Sequence, residues 1–223
     1  MTKKVQTPET DILVESKGKV ESFFDKYGNK LMWALVAVTI IAVGIFVWHN
    51  YSEKKQLANE QEAQVALFGV ITEYDLSALD VDYTVAAESY AALAAKYPEA
   101  AAGNVARFMS ASAYLHAGEL DAAKAAIAKY ENAEGNYGKV INTMALTLKG
   151  DIAVEEADYQ TAANYFAKAL KSSSNLDLYA SNALKLALVY EAMNDDAKAQ
   201  EVYNATVAKY PELTTYFAKY IKE

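Results

Sequence analysis

Apolar residues follow two patterns along this chain. The first is an unbroken run: residues 31–48 hold eighteen positions without a charge. As a helix such a run spans about 27 Å, enough to cross a bilayer once. The second pattern is periodic. A small residue recurs at Ala86, Ala123, Ala162 and Ala199, a large one four positions later at Tyr90, Ile127, Phe166 and Tyr203, and a third set follows at Leu93, Tyr130, Ala169 and Thr206. The steps of 37, 39 and 37 residues are the length of a helix-turn-helix unit. The pentapeptide Ala-Lys-Tyr-Pro-Glu occurs at 95–99 and again at 208–212. Its prolines, Pro98 and Pro211, close the first and last units because proline cannot continue a helical hydrogen-bond ladder.

Between these anchors the periodicity predicts helices over 53–74 and 83–97, then pairs at 104–117 with 121–130, 139–154 with 159–171, and 179–193 with 196–210. A final helix over 213–221 is expected to cap the exposed apolar end of the array. Gly118-Glu119, Ala157-Asp158 and Asn194-Asp195 place turn formers and short polar groups where each second helix must begin. Residues 75–82 break the first pair, and 132–138 and 172–175 are loops between units. Residues 1–19 are polar and mixed in charge, which predicts a disordered tail. In 20–30, by contrast, Val20, Phe23, Phe24 and Tyr27 share one helical face and suit the membrane surface. The expected organisation is a tail at 1–30, a transmembrane helix at 31–49 and a repeat domain at 50–223. The fold class is all-α.

Aromatic residues flank the apolar run. Trp33 and Trp48 lie near its ends, with Tyr27 and Tyr51 just outside, as expected of rings anchored among lipid headgroups. No small-x-small cleavage site follows Trp48, so the segment reads as an uncleaved anchor. Six lysines precede it, at 3, 4, 17, 19, 26 and 30, whereas Lys54 and Lys55 are followed by a gap to Lys96. This bias keeps the N-terminus in the cytoplasm and sends the domain across the membrane. Residues 1–30 carry net +1, leaving −9 of the chain's −8 total to the rest. An acidic domain with a single arginine, Arg107, does not suit nucleic acid or anionic lipid as its main partner. The absence of cysteine is compatible with an oxidising compartment without establishing one.

Chemistry is sparse. His49 abuts the anchor and His116 ends a repeat helix, neither with a partner at metal-ligand spacing. Phosphate-loop, zinc-protease and calcium-loop patterns do not occur. Asp195-Asp196 fits the start of a helix better than a cation site, and 172–174, three serines, fit a helix-ending loop. Neither a cofactor nor an enzymatic activity is expected.

The phased residues match the tetratricopeptide repeat, slightly lengthened. That resemblance implies an α-solenoid of about four helix pairs plus a capping helix, with the first helix of each pair lining a concave groove. Phased on the alanines, the groove positions are Phe108, Ser112, Leu115 and His116, then Met144, Thr147 and Asp151, then Leu184, Leu188 and Glu191. The Lys, Arg and Asn residues that clamp a terminal carboxylate in some members are missing there. A partly apolar strip containing methionine suits an extended hydrophobic segment. Packing of Phe108 and Leu184 against neighbouring repeats is the alternative.

Residues 20–31, Val-Glu-Ser-Phe-Phe-Asp-Lys-Tyr-Gly-Asn-Lys-Leu, resemble the start of the YfgM-like family, with Phe23-Phe24 and Gly28 at the same intervals. The resemblance implies a bacterial inner-membrane protein with one spanning helix, a cytoplasmic N-terminus and a periplasmic repeat domain. It also implies partners: the SecYEG translocon, a PpiD-like periplasmic chaperone, and unfolded client segments emerging from translocation. A scaffold or assembly factor of another envelope complex is the alternative function. The tail at 1–19 is longer than that family leads one to expect.

Overall fold

In the computed structural model the backbone is described for residues 8–74 and 80–221, and the side chains for 40–74 and 80–221. The chain divides into two units, Met1–Leu57 and Ala58–Glu223.

The first unit is helical from Pro8, within α1 (Pro8–Glu73). Proline is tolerated at a helix start, where its missing N–H has no partner to lose. Helical backbone over 8–19 differs from the disordered tail expected there, while 1–7 lie outside the described residues. Trp33, Phe23 and Phe24, expected to anchor in the membrane, have side chains outside the described residues. So do residues 31–39 of the expected span. Among the described residues no helix is long and apolar enough to cross a membrane. All residues of 40–48 are exposed, Trp48 among them at 71%.

In the second unit, short polar side chains start the helices. Asp82 caps α2 (Tyr83–Lys96), Asp158 caps α6 (Tyr159–Ser172), Asn175 caps α7 (Leu176–Ala192) and Asp195 caps α8 (Asp196–Lys209). Each accepts from backbone N–H groups of the first turn that have no intrahelical partner. Helix α3 (Ala101–His116) has no such residue of its own. Instead the Glu60 carboxylate on α1 accepts from the N–H groups of Ala101, at 2.7 Å, and Ala102, at 3.3 Å. Helices α4 (Leu120–Ala128) and α5 (Gly135–Glu155) complete the array.

The pairs are α3 with α4, α5 with α6 and α7 with α8. Ala63, Ala66 and Val70 near the end of α1, with Tyr74 just beyond it, cluster with Ala86, Tyr90 and Leu93 of α2, making a divergent first pair. First helices also touch one another, α3 with α5 and α5 with α7, so they form one layer. All twelve phased residues are buried. The alanines allow close approach within a pair, and the large residues fill the gap to the next. Phe166, for example, clusters with Ala153 and Ala163 and with Leu186 and Val189 of the following repeat.

The three turns inside the pairs share one geometry. Glu119 N–H reaches Tyr114 O, Asp158 N–H reaches Ala153 O, and Asp195 N–H reaches Tyr190 O, each at 2.9 Å. This six-to-one closure requires a left-handed residue just before it. Gly118, Ala157 and Asn194 supply it, with φ of 78°, 58° and 60°. Only alanine is costly there, because its Cβ crowds the backbone. Ala157→Gly should therefore raise stability by about 0.5–1 kcal/mol, strain relief outweighing the added freedom of the unfolded chain. Hydrogen exchange of α5 and α6 measures it, and faster exchange in the variant would contradict the strain.

The C-terminal cap is shorter than expected. A 3₁₀ turn at Pro211–Leu213 leads into α9 (Thr214–Phe217), which ends four residues before Ile221. Aromatic packing replaces helix length: Phe217 is fully buried, and Tyr203 stacks on Tyr220 at 5.3 Å.

Candidate functional site

Two surfaces come into consideration, the groove phased from the alanines and a cleft that the phasing does not reach. The predicted groove residues divide by burial. Met144 and Leu188 are exposed, at 38% and 42%. Leu115, Asp151 and Leu184 are half-buried. Phe108 is not a groove surface: it is 7% exposed, with its ring edge-on to Tyr130 at 6.3 Å, in a cluster with Ile127, Ile141 and Leu148. The contact between α3 and α5 covers that position, so a large ring there becomes core. Leu184 packs toward the cluster of Tyr179 and Tyr203. Phe108 follows the packing alternative, reaching Ile141 and Leu148 of the next repeat, whereas Leu184 stays half-buried against its own helix pair.

Polar contacts cross this layer from α5 to α7. Asp151 Oδ1 accepts from Lys185 Nζ at 2.5 Å, and Thr147 Oγ1 donates to Asn182 Oδ1 at 2.7 Å. Burial pushes the Asp151 carboxyl up, and the charge and hydrogen bond of Lys185 only partly offset it. Glu191 accepts from the Tyr203 hydroxyl at 3.2 Å. Burial first, and then that carboxylate's charge, push the phenol well above its ordinary range. The first two contacts link one repeat to the next, and the third joins the two helices of the last pair. His116 stacks on Tyr83 with centroids 5.1 Å apart, and His49 pairs with Glu53 at 3.5 Å. Among the described residues no group of His, Asp and Glu could hold a metal ion. Asp195 caps α8, and Ser172 and Ser173 hydrogen-bond Ala169 O at the end of α6.

The cleft lies between α1 and the starts of α3 and α5 and measures about 730 Å³. Leu67 and Ile71 of α1, Val105 of α3 and Ile141 of α5 give it apolar walls, and Tyr137, 74% exposed, stands at its mouth. One side is the loop 131–134, held by two asparagines. Asn104 accepts from Glu131 N–H at 2.9 Å and donates to Glu131 O at 2.6 Å. Asn142 does the same to Ala133, both at 2.9 Å. Each side chain thus pairs with one backbone residue as a neighbouring strand would, fixing a loop with no helical bonds of its own. Glycines permit the close approach. A Cβ at Gly103 would run into the Tyr97 carbonyl, and one at Gly138 into that of Ala133. The signal was present in the chain as asparagines 38 residues apart, one repeat step.

The helical array has its counterpart among known families. A model of the tetratricopeptide repeat-like domain matches residues 21–146, and one of the tetratricopeptide repeat matches residues 182–212. No curated protein matches the chain.

Proposed function

Because the chain belongs to the tetratricopeptide repeat-like domain family, whose members mediate protein–protein interaction, we propose that it is a membrane-anchored, non-enzymatic subunit ancillary to the SecYEG translocon. In this reading it works with a PpiD-like periplasmic chaperone on newly translocated proteins. Its anchor is the helix at 31–49 in the bacterial inner membrane, with the N-terminus cytoplasmic and residues 50–223 periplasmic.

One observation carries the reading. Every residue of 40–48 is exposed on α1, including Ile40, Ile41, Phe46 and Trp48. A helix apolar on all sides is at home in lipid, where burial of its whole circumference is favourable. The uncharged run begins at Leu31, and the lysine bias across it sets the orientation. The Phe23-Phe24 segment ahead of it supports the translocon assignment.

Crosslinking of the full chain in native membranes tests this directly. The expected products are a translocon subunit and a PpiD-like chaperone. Capture of a single different envelope complex, with neither of these, would replace the proposal with a scaffold of that complex. A periplasm-dependent reporter fused after Glu223 should be active, and silence there would reverse the orientation.

A further inference from the structure

We propose that the cleft between α1, α3 and α5 docks an extended peptide segment in which lysine or arginine alternates with apolar side chains. The inference rests on the interaction reading above and names the chemistry of one partner. It concerns a surface distinct from the phased groove.

Shape and charge both select this occupant. The walls offer Leu67, Ile71, Val105 and Ile141 to apolar side chains. Around them stand four carboxylates, Glu60, Glu99, Glu131 and Glu134, against one cation, Arg107. Arg107 is already engaged, donating to Pro98 O at 2.6 Å and to Asn104 Oδ1 at 3.5 Å. Glu60 is likewise committed to the start of α3. Glu99, Glu131 and Glu134 are exposed, so their charges remain available to an incoming cation. An acidic segment would meet like charge from three exposed carboxylates, at a cost in affinity. A purely apolar one would leave that rim without a partner. The loop that carries Glu131 and Glu134 is held by Asn104 and Asn142, so the rim is preorganised, which reduces the ordering cost of binding.

The test uses the full chain in nanodiscs and two fluorescent peptides, one of alternating lysine and leucine and its glutamate–leucine analogue. The lysine peptide should bind, weakening as salt rises, and the glutamate peptide should not. Joint replacement Glu99→Gln, Glu131→Gln and Glu134→Gln should weaken the lysine peptide about tenfold or more with helicity unchanged. Tyr137→Ser, at an exposed site, should weaken it without altering its salt dependence. Equal binding of both peptides, or undiminished binding to the triple variant, overturns the proposal. So does a change of oligomeric state in that variant, because the occupant is then a second copy. Translocon crosslinks that persist in the triple variant while peptide binding is lost confirm the docking site independently of the translocon reading. Peptide binding without any translocon crosslink retains the cleft and discards that reading.

Discussion

Replacing Phe166 by alanine should destabilise the repeat array by about 3–5 kcal/mol, the range for deleting a buried aromatic ring. Phe166 is 1% exposed and clusters with side chains of α5, α6 and α7. A Cβ built on Gly150 would come within 2.5 Å of its ring, so α5 approaches as closely as glycine allows. Truncation therefore leaves a cavity that neighbouring helices cannot close without moving the next repeat. Lys185 Nζ lies 5.7 Å from the ring centroid, and its pairing with Asp151 depends on the same packing. Hydrogen exchange of α6 amides in the full chain reads the loss locally, which suits an array whose units open separately. A change below about 1 kcal/mol would mean that the ring contributes little across the repeat boundary.

Positions such as Phe166 were legible in the sequence because packing repeats with the chain. A spacing of 37 to 39 residues returns each side chain to the same place between two pairs, so alanine, bulky residue and third phase identify core without any distance being known. The turns were legible for the same reason, down to the aspartates that cap α6 and α8. Phe108 was less so. Phasing alone assigns it to the inner face, but that face is also where α3 meets α5, and a side chain large enough to reach the neighbour is buried by it. Leu188, near the exposed edge of α7, shows that the same layer still presents apolar surface.

The cleft was harder to read because it lies between helix pairs rather than within one. It opens where α4 and α5 make only a small contact and the loop 131–134 departs from the helical path. Loop direction is set by side-chain hydrogen bonds rather than by periodicity. Asn104 and Asn142 stood in plain view, yet their residue type predicts only a polar partner, and the partner's identity is a matter of three-dimensional approach. The length of the capping helix was overestimated on similar grounds. Apolar residues continue to Ile221, but Tyr203 and Tyr220 satisfy them by ring stacking.

The Asn182→Asp variant should lose about 3–5 kcal/mol at neutral pH, the penalty for an uncompensated buried charge. Asn182 is fully buried on α7, in the polar network that joins α5, α6 and α7. Its Oδ1 accepts from Thr147 at 2.7 Å, and its Nδ2 donates to Leu178 O at 2.8 Å and to Ser173 Oγ at 3.3 Å. Aspartate is nearly the same shape and keeps the bond from Thr147. Its second oxygen, however, faces the Leu178 carbonyl, and the Ser173 hydroxyl already donates to Ala169 O. Two acceptors then confront each other without a proton between them. The neighbouring cation, Lys185, is held by Asp151. Protonation restores a donor, so the folded state binds a proton that the unfolded chain releases at about pH 3.9. The variant's deficit relative to the parent should consequently be smallest below that value and grow as pH rises toward the elevated folded value, then level off. Exchange of α7 amides at mildly acidic and at neutral pH checks both claims. A variant within about 1 kcal/mol of the parent, with no such slope, would mean that water or a repacked Lys185 reaches this position and that the network does not fix the register of the last two repeats.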